Sequence, residues 1–194
     1  MPKVVDRERR RGDLAGAAAR VIARIGLEGV TVQSVAAEAN CSAGSIAHYF
    51  RNKDELLLHA LRASTEPLMH ALREPGARAS TIESLRAIAR DSLPLDATRE
   101  RDWRVRLAFW TRASGPPEEV QLARQQLAEW RVLWEGAIRA LQSAGAIRRD
   151  ADPAESSSGL VALILGAATH LLVRPRNGAR PAEAVDSYLR ALGR

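Results

Sequence analysis

Apolar residues recur along this chain at helical spacing. From Asp13, the residues Leu14, Ala18, Val21, Ile22 and Ile25 fall at i, i+4, i+7, i+8 and i+11, one apolar stripe closed by Gly26. Thr31 is placed to cap a short helix through Val32, Val35, Ala36 and Ala39, and Ser42 to cap another through Ala43, Ile46, Ala47 and Phe50. Between them Asn40 tolerates the left-handed backbone that ends a helix. Asn52, Lys53 and Asp54 then open a longer helix with Leu57, Leu61, Ser64, Leu68 and Leu72 on one stripe, and Pro67 is set to kink it. After the break at Glu74, Pro75 and Gly76, the pattern predicts helices at about 80–93, 97–113, 117–144, 153–173 and 181–192. These are bounded by Pro94, by Gly115 with Pro116, by Gly145, and by Pro175 with Gly178. Neither β-alternation nor a repeat competes with this reading. The expected fold is all-α: an N-terminal three-helix module containing a helix-turn-helix over residues 1–53, and a helical domain over residues 54–194.

The pair of short capped helices between Thr31 and Phe50 has the spacing of a DNA-binding helix-turn-helix, in which the second helix enters the major groove. By spacing alone it is equally an ordinary helical hairpin. Charge adds weight to the first reading. The 194 residues carry 29 Lys and Arg against 23 Asp and Glu, net +6. Residues 1–53 hold nine basic against five acidic side chains, so +4 of the excess sits in the first quarter. A basic segment on a near-balanced body suits an acidic polymer. Only Lys3 and Lys53 are lysine and 35 residues are alanine, a bias of GC-rich coding that dilutes the meaning of arginine. The basic run Lys3, Arg7, Arg9, Arg10 and Arg11 either lies along phosphates, enters the minor groove, or is a solvated tail.

The residues themselves go further. Val30 to Leu57, with Thr31 at the cap, Val35-Ala36, Ser42-x-Gly44-x-Ile46, the aromatic pair Tyr49-Phe50, and Lys53 followed by Leu56-Leu57, resembles the DNA-binding signature of the TetR family of bacterial transcriptional regulators. The run Ser45 to Phe50 is similar to the betaine/choline-regulator branch, which favours His-Tyr-Phe here. Asn40 stands where that family usually has Gly, Cys41 where it has Val, and Ala47 where most members carry Tyr. The resemblance implies that Ser42, Ala43, Gly44, Ser45 and Ala47 face base edges, while Thr31, Gln33, Ser34, His48, Tyr49 and Lys53 hold phosphates. For Tyr49 the alternative is a ring packed beneath the recognition helix. Phe50, Val35, Ile46, Val21 and Ile22 are expected in the core.

All four tryptophans lie between positions 103 and 134, among eight aromatic residues in total. Trp103, Leu107 and Trp110 share one helix face, and Leu127, Trp130, Trp134, Ile138 and Leu141 share another. Such stripes are either packed core or the wall of an effector pocket lined by Trp103, Phe109, Trp110, Trp130, Trp134 and His170. No cluster of Arg or Lys on these stripes marks an anionic ligand. Leu107-Ala-Phe-Trp110 and the run Gly145 to Arg148 followed by Asp152-Pro153 resemble the same branch, which implies a cationic effector on tryptophan faces; an apolar one is equally compatible. The stripe Leu160, Val161, Leu163, Ile164, Ala167, Ala168 and Leu171 covers more than one face of its helix, and Ala184, Val185, Tyr188, Leu189 and Leu192 form a second stripe. They fit either a monomer core or, as the resemblance implies, a four-helix homodimer interface.

The chain is thus expected to be a dimeric repressor of double-stranded operator DNA, released by a small-molecule effector. The rival readings are an all-helical enzyme and a helical scaffold. Against the enzyme stand the lack of a Gly-rich phosphate loop after a strand, of a Gly-x-Ser-x-Gly elbow and of paired histidines at metal spacing, so no catalytic residue, metal or cofactor is expected. Against the scaffold stands the small, polar face from Ser42 to Ala47. The single Cys41 excludes a disulfide framework. The charged start and the 14-residue limit on apolar runs, Leu160 to Val173, point to a cytoplasmic protein without a membrane partner.

Overall fold

The computed structural model describes residues 2–73, 81–111, 116–173 and 179–193, with side chains from residue 6 in the first stretch and from residue 180 in the last. Among them are nine helices: α1 (Pro2–Ile25), α2 (Val32–Glu38), α3 (Ala43–Tyr49), α4 (Lys53–Arg73), α5 (Ile82–Asp91), α6 (Ala97–Trp110), α7 (Pro117–Ser143), α8 (Pro153–Val173) and α9 (Ala179–Leu192). The described residues contain no strand, only an isolated bridge between Ile147 and Gly193. The expected breaks at Glu74 to Gly76, Gly115, Pro175 and Gly178 lie outside the described residues. The first helix starts at Pro2, twelve residues before its apolar stripe begins at Leu14, so the basic run of Arg7, Arg9, Arg10 and Arg11 is helical. Apolar periodicity cannot register a helical extension built of charged residues.

The chain forms two compact units, residues 1–66 with 101–124 and residues 67–100 with 125–194. In the first, Leu14, Ala18, Val21 and Ile22 of α1, Val35 of α2, Ile46 of α3, Phe50, Leu57 and Leu61 of α4, and Val105 and Phe109 of α6 make one apolar cluster. The two short helices fold as expected because their ends are satisfied locally. At α2 the Thr31 hydroxyl accepts from the Ser34 N–H at 3.0 Å, and the Ser34 hydroxyl accepts from the Thr31 N–H at 3.0 Å. This reciprocal cap is worth about 1 kcal/mol per satisfied donor. Asn40 follows at φ +51°, the left-handed turn residue, and Gly26 at φ +76° closes α1.

In the second unit α9 packs on α8 and on α5. Leu160, Ile164, Ala168 and Leu171 of α8 and Val185, Leu189 and Leu192 of α9 are buried. Tyr188 donates its hydroxyl to the Ser156 carbonyl at 3.0 Å, and Gly159 gives that ring its room, since a Cβ there would stand 2.7 Å from the hydroxyl oxygen. Arg86 of α5 meets Asp186 of α9 through two guanidinium nitrogens, which holds the carboxyl of Asp186 below its ordinary range. At 21 residues α8 is long and apolar enough on length and composition to cross a membrane. Its buried side chains give it the pattern of a core helix.

Candidate nucleic-acid interface

Helix α3 is built to show one face outward. Ile46 is the only residue of its seven that is buried; Gly44, Ala47 and His48 are exposed, and Ala43, Ser45 and Tyr49 are half-buried. Ile46 belongs to the buried cluster that α1 and α2 also supply and contributes the ~1.5–3 kcal/mol of a fully buried aliphatic side chain, fixing the rotation of the helix about its axis. At the N-cap, the Ser42 hydroxyl accepts from the Ser45 N–H at 3.1 Å and lies 3.0 Å from the Ser45 hydroxyl. A hydroxyl carries one donor and two acceptor sites, so both serines keep capacity for a base edge.

The residues expected to hold phosphates differ in exposure and in what their polar atoms already bind. Thr31 and Gln33 are exposed; the Ser34 hydroxyl also donates to the Thr31 carbonyl at 2.8 Å and is committed to the cap. Lys53, at the first turn of α4, donates to the Val30 carbonyl at 3.3 Å. The Tyr49 ring is packed against the apolar cluster, with its edge-to-face partner His48 at 5.2 Å. Each half of the Tyr49 alternative therefore has a feature in its favour: the ring packs, and its half-buried position leaves part of it outward.

Sequence reasoning missed a polar node behind this surface. Arg11 of α1 donates to the Tyr49 carbonyl at the end of α3 and to Glu55 of α4 at 2.9 Å. Its Nη2 stands 2.6 Å from Nε2 of His59, and its guanidinium lies 4.6 Å from the centre of the Phe50 ring. Glu55 also accepts from the Arg51 N–H at 2.8 Å; that bond, with the Arg11 guanidinium, pulls its carboxyl down to about 2. Burial, with Arg11 and Arg62 close by, lowers His59. Of the basic run, then, Arg11 is an internal structural residue, with only 15% of its side chain exposed. Nothing in the sequence separates it from Arg9 and Arg10, because its partners are 38 to 48 residues away.

The expected effector residues divide between the two units. In the first, Trp103 and Phe109 are buried, Trp110 is half-buried, and the Trp103 and Trp110 rings meet edge to face at 6.0 Å. In the second, Trp130 and Trp134 are fully buried with rings 6.5 Å apart, and His170 is exposed in the last turn of α8. The Trp134 indole N–H has no hydrogen-bond partner among the described residues. Between Trp103 and Trp110 on the helix, Arg106 is buried, its guanidinium 5.2 Å from the Trp103 ring centre and bonded through Nε to the Ser64 carbonyl at 2.9 Å. Burial pulls that guanidinium down to about 10 despite Asp102 one turn before it. Its signal was present in the sequence, an arginine at i+3 and i−4 from two tryptophans. No group of His, Cys, Asp and Glu among the described residues has the arrangement of a metal site.

Comparison with known proteins bears on the whole arrangement. Residues 14–60 match the bacterial regulatory proteins of the tetR family, and residues 81–194 match the C-terminal part of BetI-type transcriptional repressors. The HTH-type transcriptional regulator BetI of Paraburkholderia xenovorans is 36% identical over 174 residues, 86% of this chain and 83% of the relative. A transcriptional regulator from Rhodococcus sp. Rha1 superposes with a TM-score of 0.78 at 28% identity, over 94% of this chain and 95% of its own. A regulator from Saccharomonospora viridis, solved in complex with choline, gives 0.78 at 24% identity, over 95% of each chain. A capped helix-turn-helix with a small outward face, followed by a C-terminal part that matches BetI-type repressors over residues 81–194, leaves one assignment: the chain belongs to the TetR family of bacterial transcriptional regulators, and is a DNA-binding repressor of the BetI type.

Proposed function

We propose that Ser42, Ala43, Gly44, Ser45 and Ala47 meet base edges in the major groove of a pseudo-palindromic operator, with Thr31, Gln33, His48, Tyr49 and Lys53 along the flanking phosphates and Ser34, its hydroxyl proton held by the Thr31 carbonyl, fixing the α2 start that presents them. The observation that carries this is the rotation of α3, whose single buried residue, Ile46, turns the small side chains outward. Serine supplies a hydrogen bond and alanine a methyl contact to thymine, while the absence of a bulky side chain lets the helix approach closely. The protein acts as a soluble, cytoplasmic homodimer. Its second copy covers the outward side of α8, where Leu127, Ala128, Arg131, Ser158, Val161, Ala162 and Leu165 line an apolar groove of about 320 Å³.

The effector is a small cationic or apolar molecule held in the helical body, with Trp103, Phe109 and Trp110 of the first unit and Trp130, Trp134 and His170 of the second as the residues to test. One face of Trp103 is already covered by the Arg106 guanidinium. A cation–π contact to an effector therefore falls to the other rings. Release follows from population shift: the effector binds better to a conformer whose two recognition helices no longer match half-sites ~34–36 Å apart, and the ratio of its two affinities sets the extent of release. The test is a gel shift with duplexes from the chromosomal neighbourhood of the coding sequence at ~100 mM salt, where phosphate contacts persist. Specific retardation reversed by choline supports both halves. Retardation that choline leaves intact removes that effector alone, and no specific retardation on any fragment refutes the assignment of the α3 face.

A further inference from the structure

We propose that Arg11 and His59 are positioning residues for operator binding: together they hold the C-terminal end of the recognition helix against α4, and the hold depends on His59 being neutral. The Arg11 guanidinium reaches the last carbonyl of α3, that of Tyr49, and at the same time Glu55 and His59, one turn apart on α4. It also lies over the Phe50 ring, where the chain leaves α3, and the His59 ring meets Phe50 edge on at 5.3 Å. Ile46 fixes the rotation of α3, but nothing else described ties its last carbonyl to another helix. Without this node the helix keeps its face and loses its tilt.

The chemistry of the Arg11 to His59 contact is one-sided. A guanidinium has five N–H donors and no lone pair to give, so at 2.6 Å His59 Nε2 must be the acceptor. This fixes the neutral ring with its proton on Nδ1. A proton added at Nε2 replaces a hydrogen bond with two cations in contact. The charged and titratable groups about His59 are Arg11 and Glu8 of α1 and Glu55 and Arg62 of α4; Glu55 is already taken by Arg11 and Arg51. Burial and the nearby arginines act in the same direction, lowering His59. The neutral ring and the contact therefore persist at neutral pH and are lost as pH falls below the ordinary histidine range.

The expected pH dependence is opposite in sign to the usual one for a protein that meets phosphates, whose histidines gain affinity on protonation. His48, exposed on α3, is among the residues proposed to meet phosphates, so the measurement is made in a His48→Gln background. Operator Kd is determined by fluorescence anisotropy between pH 8 and pH 5.5 at fixed salt, with far-UV circular dichroism of the free protein at each pH. In that background Kd should rise by up to about tenfold per pH unit once the pH is below that of His59, the slope of one excluded proton. Adding His59→Gln, whose amide oxygen accepts from Arg11 at any pH, should flatten the profile. Arg11→Lys, whose single ammonium does not span three acceptors, should weaken binding on the order of tenfold at pH 8 in a protein that is still folded. The proposal is overturned if His59→Gln keeps the slope, if Arg11→Lys binds as tightly as its parent, or if the loss of affinity coincides with loss of helix.

Discussion

Trp134 offers the sharpest test of whether the tryptophan stripe is packing or recognition. Its side chain is fully buried on α7, and its indole N–H has no partner among the described residues. Two substitutions separate its apolar body from its polar atom. Trp134→Ala removes the whole ring and leaves a cavity, for which ~3–5 kcal/mol is expected. In a chain of this length each kcal/mol moves the midpoint by ~2–4 °C, so the melt should drop by roughly 6–20 °C. Trp134→Phe keeps most of the apolar contact and deletes a buried, unbonded donor that itself costs about 1–3 kcal/mol. The two effects offset, and the midpoint should move by no more than a few degrees. Differential scanning calorimetry of both variants, beside titration with choline, reads the outcome. If Trp134→Phe is as damaging as Trp134→Ala, the indole N–H is paired in the native protein and this reasoning fails. If the Phe variant melts normally but no longer binds an effector that the parent binds, the N–H belongs to that ligand.

Ser45→Ala should change the preference among operator variants by ~1–3 kcal/mol at one base step, while Lys53→Ala should weaken all duplexes alike and lower the salt slope by about one; anisotropy across a salt series checks both. Leu165→Glu, on the outward side of α8, should yield a folded monomer, whereas Leu189→Glu should unfold the protein, because Leu189 is buried within the chain and does not face a partner copy. Sedimentation velocity and circular dichroism distinguish the two, and a Leu165→Glu dimer would place the interface elsewhere. Glu55, ordinarily near 4.5, titrates at about 2 in the folded protein, so its contribution to stability is complete above pH 4.5 and lost as pH falls towards 2. Glu55→Gln should flatten the acid limb of a denaturation profile over that interval.

The helix-turn-helix was legible because its determinants are local: caps three residues from their acceptors, a left-handed Asn40, and apolar residues at helical spacing. The same holds for Val21, Ile22, Val35, Ile46 and Phe50 in the core. What was not legible depends on pairs far apart in sequence. Arg11 read as one more arginine of a basic tail, and its partners Tyr49, Glu55 and His59 become neighbours only once α1 crosses the ends of α3 and α4. Leu189 looked available to a second subunit because a one-dimensional stripe does not say which chain covers it; α8 and α5 of the same chain do. Arg106 is intermediate. Its position between two tryptophans was visible, but its burial depends on Ser64 of another helix.

The early start of α1 changes what is expected at the operator's flanks. An extended arm can thread a minor groove ~6 Å wide, while an α-helix with its side chains is ~10–12 Å across and does not fit. Arg7, Arg9 and Arg10, carried on such a helix, are therefore expected to meet phosphate ridges, if they meet DNA, and not the floor of the minor groove. Flanking base pairs then contribute through backbone charge, without the A·T preference that groove insertion confers. A family of operators for this protein should accordingly share their half-site cores and drift freely in sequence just outside them.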